Sequence, residues 1–257
     1  MVRLDEGGRA ASGVRLFAPP PPLRPWVQHV SIQPGPARHG GWRVVPDTSA
    51  HLIISATADG ASRCRIVGAR RTAADIDVGG RCLTVAVRLQ PGALPALTRE
   101  AADSFTDRAF DAADVFGRAA RSLIDGACEM SPFDLARHLL AFVQLRCARA
   151  DPALEPRTIA HVSRVEDLGR ALGLSPRALH AHMLATVGLA PKRALRIRRL
   201  LVALHCAGRG RSLAASALAA GYSDQAHFTR DARELLGEPP AAWRRRGATS
   251  ARVDGHR

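Results

Sequence analysis

Apolar and polar residues alternate over Cys82-Leu83-Thr84-Val85-Ala86-Val87-Arg88-Leu89, which puts Leu83, Val85, Val87 and Leu89 on one face at the period of a strand. Leu52-Ile53-Ile54-Ser55 and Arg65-Ile66-Val67 are shorter apolar runs, set among turn signals that include Pro19 to Pro22 and Gly/Pro clusters at 34–41. The first third therefore predicts a small, largely antiparallel sheet. After Pro91 the period changes. Residues 110–124 and 133–147 carry apolar side chains three and four apart, which predicts two helices, the second opened by Ser131-Pro132 as N-cap and first-turn residue. Leu135, Leu139, Leu140, Phe142, Val143 and Leu145 give that second helix a face that either covers the sheet or pairs with its copy in a dimer.

Residues 150–157 hold two prolines and no apolar period, so 151–157 reads as a linker between a first domain, 1–150, and a second, 158–247. The last ten residues, 248–257, are expected to be a disordered tail. Beyond the linker the rhythm is short helix, turn, helix. Val165 to Leu172 closes at Gly173, Ser175-Pro176 opens a helix that runs to Val187, and Gly188 stops it. From Pro191 a long helix turns Leu195, Ile197, Leu200, Leu201 and Leu204 inward and ends near Gly208. Ser212 then caps Leu213 to Ala220, Gly221-Tyr222-Ser223 turns, and a helix from Asp224 to Leu236 stops at Gly237. A helix, a Gly-containing turn and a second helix is the helix-turn-helix pattern. The predicted fold is thus an α+β domain of sheet plus helices, followed by an all-α domain with two helix-turn-helix units joined by a long helix.

Composition narrows the function. Of 257 residues 46% are hydrophobic, and 37 Lys and Arg face 23 Asp and Glu, a net charge of +14 that points to a polyanionic partner. From Glu155 onward there are 18 basic and 8 acidic residues, so most of the excess lies in the second domain. Lys192 is the sole lysine, and guanidinium groups suit bidentate phosphate and guanine contacts; an arginine-rich codon bias explains the same count. No stretch reaches the ~18 apolar residues of a membrane span and no signal peptide is evident, so a cytoplasmic protein with no membrane role is expected. Five separated cysteines and the pair His180/His182, two apart on a helix, offer no metal-ligand spacing, and neither metal nor cofactor is expected. The carboxylate pairs Asp75/Asp77 and Asp111/Asp114 lack a nearby nucleophile, metal or phosphate-loop pattern, which argues against an enzyme.

Ala219-Ala220-Gly221-Tyr222-Ser223-Asp224-Gln225-Ala226-His227-Phe228-Thr229-Arg230, followed by Leu236-Gly237-Glu238-Pro239-Pro240-Ala241-Ala242-Trp243-Arg244, resembles the signature of AraC-type transcriptional regulators. Leu174-Ser175-Pro176-Arg177 and Gly188-Leu189-Ala190-Pro191 fit the family's first unit, so the resemblance covers roughly 164–246. It implies that Gln225, Ala226, Thr229 and Arg230 of the second unit, and Arg177, His180 and Ala181 of the first, lie nearest the base edges. Ala181 stands where the family often has a long polar side chain, and Ala232 where it often has a buried Phe. Lys192, Arg193, Arg196, Arg198, Arg199 and Arg244 to Arg246 are expected phosphate contacts or merely solvated charges. His227 reads either as a residue of the turn or as a base reader.

The first half resembles, more weakly, a module attached to such regulators, through Trp42-Arg43-Val44-Val45-Pro46-Asp47, Ile66-Val67-Gly68 and Val87-Arg88-Leu89-Gln90-Pro91-Gly92-Ala93. By analogy it binds a small-molecule effector or mediates dimerisation, with Trp42, His51 and Arg88 lining a pocket. Alternatively Trp42 and His51 finish a core and Arg88 is a surface strand residue. The expected function is sequence-specific transcription regulation on double-stranded DNA, with an effector, RNA polymerase and a second copy of the chain as further partners. A non-specific architectural DNA binder is one alternative. A thiol- or metal-responsive regulator using Cys64 and Cys82 on neighbouring strands is another.

Overall fold

A computed structural model describes residues 5–9, 14–34, 42–57, 59–76, 81–154 and 158–245. The expected tail and Arg246 lie outside the described residues. The first half contains strands β1 (Asp5–Arg9), β2 (Arg15–Ala18), β3 (Val27–Pro34), β4 (Trp42–Val44), β5 (His51–Thr57), β6 (Ser62–Val67), β7 (Ala74–Ile76) and β8 (Arg81–Leu89). Helix α1 (Leu94–Thr98) and strand β9 (Ala109–Asp111) follow. Seven strands form one antiparallel sheet in the order β1-β2-β3-β8-β5-β6-β9, while β4 and β7 pair separately. The sheet is larger than the apolar runs alone predict, because β2 and β3 flank the proline-rich turn at 19–22.

Strand β8 is central: Val87 faces Val30 of β3 on one side and Leu52 of β5 on the other. On β5 the burial alternates, with Leu52 and Ile54 fully covered and His51, Ile53 and Ser55 half-buried on the opposite face. On β8 both faces are covered from Val85 to Leu89, Arg88 included. Arg88 is therefore no surface strand residue. Cys64 on β6 and Cys82 on β8 are not on neighbouring strands, since β5 runs between them. The Cys64 thiol is also pushed up to about 12 by burial, with Asp111 adding to the effect, which suppresses the reactive thiolate. Both observations count against a Cys64/Cys82 thiol sensor.

Helices α2 (Ala112–Phe116), α3 (Arg118–Ile124) and α4 (Pro132–Cys147) complete the first half. The single helix expected over 110–124 is instead a strand end and two helices. Phe110 pairs with Ile66 in the sheet, the Asp111 carboxylate caps α2 through Ala113 N–H, and Gly117 separates α2 from α3 at φ +56°, ψ −130°, a conformation open to glycine. Helix α4 begins as predicted, with Ser131 Oγ accepting from Asp134 N–H at 3.1 Å. It buries Leu135, Leu139, Leu140 and Val143 against the sheet, each contributing about 1.5–3 kcal/mol. Covering the sheet is thus the role of that face, while Leu145 points away and is 77% exposed.

The second half is helical: α5 (Thr158–His161), α6 (Val165–Leu172), α7 (Pro176–Val187), α8 (Pro191–Gly208), α9 (Leu213–Ala219), α10 (Gln225–Leu236) and α11 (Pro240–Arg245). The two helix-turn-helix units and the long connecting helix are where their caps predict. Leu195, Ile197, Leu200, Leu201 and Leu204 of α8 form the spine of a second core. That core reaches across to the first half, taking in Val45 and Ala69, with Ala73 packed at its edge.

Candidate nucleic-acid interface

The second helix of each helix-turn-helix unit is held by its own local chemistry. Ser175 Oγ accepts from Ala178 N–H at 3.3 Å to open α7, and Pro176 follows as a first-turn residue with no N–H to lose. In the helix before it, α6, Gly169 is buried so closely that a Cβ there would lie 3.2 Å from the Leu174 carbonyl oxygen. In the second unit Gly221 turns the chain at φ +85°, and the Asp224 carboxylate accepts from His227 N–H at 2.7 Å to open α10. His227, in the first turn of α10, packs edge-on against Tyr222 at 5.0 Å and its Nδ1 lies 3.2 Å from Ser223 Oγ, which ties the start of the helix to the preceding turn.

Both helices divide cleanly into a buried and an open face. On α7, Leu179, Met183 and Val187 are buried while Arg177, His180 and Ala181 are exposed, three and four apart on one ridge. On α10, Phe228, Ala232, Leu235 and Leu236 are buried while Gln225, Ala226 and Arg230 are exposed. Thr229 is half-buried, and its hydroxyl donates to the Gln225 carbonyl at 2.8 Å, leaving its methyl for contact. The seven residues proposed for base edges thus fall on two compact patches near helix N-termini. A helix of this kind fits the major groove, about 12 Å wide.

The basic residues divide by their partners. Arg193 and Arg196 of α8 reach α10: Arg193 donates to Glu234 at 2.8 Å, and Arg196 donates to Glu234 at 2.6 and 3.1 Å and to Asp231 at 2.6 Å. The hydrogen bonds from Arg196 and then Arg193 hold the Glu234 carboxyl at about 2. Tyr222 OH donates to the other oxygen of buried Asp231, and burial plus that carboxylate push the phenol up. The Arg199 guanidinium sits 5.4 Å from the Tyr222 ring centroid. Arg198 donates to the Val162 carbonyl at 2.7 Å. Lys192, Arg244 and Arg245 are exposed. The 35–41-residue separations across the α8–α10 ion pairs hide them from any count of charges.

In the first half the structure brings together His51 and Arg88, opposite each other on β5 and β8, through a residue not singled out from sequence. Buried Asp47 accepts from Arg88 at 2.6 Å and from Ser49 N–H at 3.0 Å, and lies 2.9 Å from His51 Nε2. Its i, i+4 spacing to His51 was the available signal. The backbone of Trp42 lies in β4, paired with Ile76. Behind Arg88 sits His29, whose imidazole is lowered to about 3 by burial first, then by Arg88 and His51, against a smaller opposing effect of Asp47. Between the ordinary value of 6.5 and about 3 the unfolded chain binds a proton that the folded chain excludes. Stability therefore falls as pH drops through that window, by up to about 1.4 kcal/mol per unit from this group. Denaturant midpoints at pH 7 and 5 check this: His29→Gln should flatten the dependence, and an unchanged slope in that variant overturns the assignment.

Among the described residues no group of three His, Cys, Asp or Glu side chains is placed to hold a metal, and no helix is long and apolar enough to cross a membrane. Residues 168–246 match the family model described as a helix-turn-helix domain, and residues 15–111 match a domain family of unknown function. No curated protein matches the chain. Among solved structures, ToxT from Vibrio cholerae in its 1.65 Å P21 form is 8% identical, with 83% of this chain and 96% of that chain covered and a TM-score of 0.42. ToxT from Vibrio cholerae O395 bound to (E)-4-(8-methylnaphthalen-1-yl)but-3-enoic acid is also 8% identical, over the same shares, at 0.43. Unsaturated fatty acid bound wild-type ToxT from strain SCE256 is 11% identical, with 83% and 92% covered, at 0.40.

Proposed function

We propose that residues 168–246, which match a helix-turn-helix domain family, form an AraC-type DNA-binding domain, and that the chain is a sequence-specific transcription regulator that reads double-stranded DNA with α7 and α10 in successive major grooves. The observation that carries this reading is the pair of capped helices with one face buried and the other open, bearing Arg177, His180 and Ala181 on α7 and Gln225, Ala226, Thr229 and Arg230 on α10. Lys192, Arg244 and Arg245 supply phosphate contacts, with Arg199 stacked beside them on Tyr222. Arg193 and Arg196 act first as braces, because their guanidinium groups are already held by Glu234 and Asp231. The first half modulates the reading through a small-molecule effector at the sheet face carrying His51 and Arg88, or through self-association. A regulator of this kind works in the cytoplasm beside RNA polymerase.

Selection of bound duplexes from a random library by the full-length protein, at near-physiological salt, tests the reading. Two elements about one helical turn, ~34 Å, apart are expected. Enrichment no better than random DNA favours the architectural alternative. Within the selected site Arg230→Ala should cost about 1–3 kcal/mol and flatten the base preference at one position, whereas Lys192→Ala should weaken all sequences alike and lower the salt slope by about one. Equal losses on matched and mismatched sites for Arg230→Ala would reassign that residue to the backbone.

A further inference from the structure

The C-terminal ends of both reading helices are fastened to the first half of the chain, and by backbone carbonyls in each case. The Gly188 carbonyl, just past α7, accepts from Thr106 Oγ1 at 2.7 Å. The Leu235 carbonyl, in the last turn of α10, accepts from Ala73 N–H at 2.8 Å. The latter contact fills a defined vacancy in the helix ladder. The residue four beyond Leu235 is Pro239, which has no N–H to offer, so the carbonyl needs a donor from elsewhere.

The first contact is equally built. Gly188 adopts φ +82°, as a left-handed helix cap. It is also the point of closest approach, since a Cβ there would lie 2.5 Å from Thr106 Oγ1 and 2.8 Å from the Ala102 carbonyl oxygen. Any other residue forces the two halves apart.

The two fastening points belong to one platform. Asp107, next to Thr106, donates its N–H to the Ala69 carbonyl at 2.8 Å, and its carboxylate accepts from the Arg71 backbone N–H at 2.8 Å and from the Arg71 guanidinium. Asp107 sits at φ +58°, one of two non-glycine residues among those described with positive φ, so the surroundings hold this corner in a costly conformation. Arg70, in turn, exchanges both backbone hydrogen bonds with Asp47. The loop at 69–73 and the turn at 102–107 therefore form one unit, with Thr106 at one reading helix and Ala73 at the other.

We propose that this platform is a splint that fixes the distance and angle between α7 and α10, making the first half a determinant of half-site spacing, with Thr106 and Arg71 as positioning residues. This rests on the reading of α7 and α10 as the DNA-contacting helices. Neither residue touches DNA in this scheme. What each sets is tolerance to the separation of the two sequence elements, because one inserted base pair moves the second element about 3.4 Å along the axis and rotates it.

The test uses full-length protein and duplexes carrying the selected two-element site with its spacer changed by −1, 0, +1 and +2 base pairs. The parent should lose about tenfold or more in affinity for each one-pair change. Thr106→Val, which keeps the shape and removes the donor, should flatten that profile to within about threefold while leaving the penalties for base changes inside each element intact. Thr106→Ser restores the donor and should restore the parent profile. Arg71→Met, at a side chain 58% exposed and so tolerant of change, should flatten it as Thr106→Val does. Retention of the parent's steep profile by both Thr106→Val and Arg71→Met overturns the splint while leaving sequence-specific reading in place, and so does a flat profile in the parent. Failure of the parent to select any motif removes the reading itself, and the splint with it.

Discussion

Asp47→Ala is expected to destabilise the first half by about 3–5 kcal/mol, the range for removing one partner of a buried ion pair. Asp47 and Arg88 are 5% and 9% exposed, and among the described residues no other carboxylate hydrogen-bonds to Arg88, so the guanidinium would stay buried with its charge uncompensated. His51 and Ser49 N–H would lose their shared acceptor as well. Burial alone would push the Asp47 carboxyl up, but Arg88, the His51 hydrogen bond and Ser49 N–H together hold it below the ordinary carboxylate range. The stabilisation is accordingly present above that range and is lost as pH falls through the depressed value. Asp47→Ala with Arg88→Met should recover much of the loss, since replacing both members of a buried pair by apolar groups is often near neutral. Denaturant unfolding of the single and double variants measures the coupling. A single variant within about 0.5 kcal/mol of the parent would show that water reaches Arg88 in solution.

Arg196→Met is expected to cost about 2–4 kcal/mol in stability, toward the lower part of the range for buried pairs because the Arg196 side chain is 26% exposed. The loss arises at Asp231, which is 6% exposed and would keep, among the described residues, the Tyr222 hydroxyl as its side-chain partner. Methionine retains the aliphatic packing of the arginine stem, so the deficit reports the charge. A brace and a phosphate ligand differ in a second measurement. For a brace, affinity for the selected site drops because α10 is misplaced, but the dependence of log affinity on log salt is unchanged. For a phosphate ligand, the slope falls by about one and stability hardly moves. Urea melts and affinities at three salt concentrations separate the two, and the second pattern would return Arg196 to the phosphate contacts.

The second half was legible because its determinants are local. Ser175-Pro176, Gly188, Ser212, Asp224 and Gly237 mark helix ends within a turn of the groups they cap, and the structure places each cap at its predicted position. The sheet was legible only where an apolar run stood clear of prolines. Phe110 was assigned to a helix because its spacing to later apolar residues fits a 3.6 period, while its pairing with Ile66 lies 44 positions away and leaves no local mark. The same limit hid the partners of Arg88, Arg193 and Arg196 and the bond from Thr106 to Gly188. His51 and Arg88 rest on the resemblance of the first half to a module attached to AraC-type regulators, and the structure brings the two together. Asp47, which joins them, is bridged to Arg70, 23 positions away, and its role as their shared acceptor leaves no local mark.

Strand β8 lies between β3 and β5, so Val30 must wait for Val87 before the centre of the sheet exists. Pairings across such separations fold slowly, in milliseconds to seconds, whereas the contacts within each helix-turn-helix unit are short-range and fold faster. Order of synthesis reverses the ranking. Between the end of β9 at Asp111 and the start of α6 at Val165 the ribosome needs about 3–11 s at roughly 5–20 residues per second. That interval covers a fold of milliseconds to seconds, so the sheet is expected to close before the second half has left the ribosome. Helices α7 and α10 are then expected to form against a finished surface, with Thr106 and Ala73 already in position to receive them.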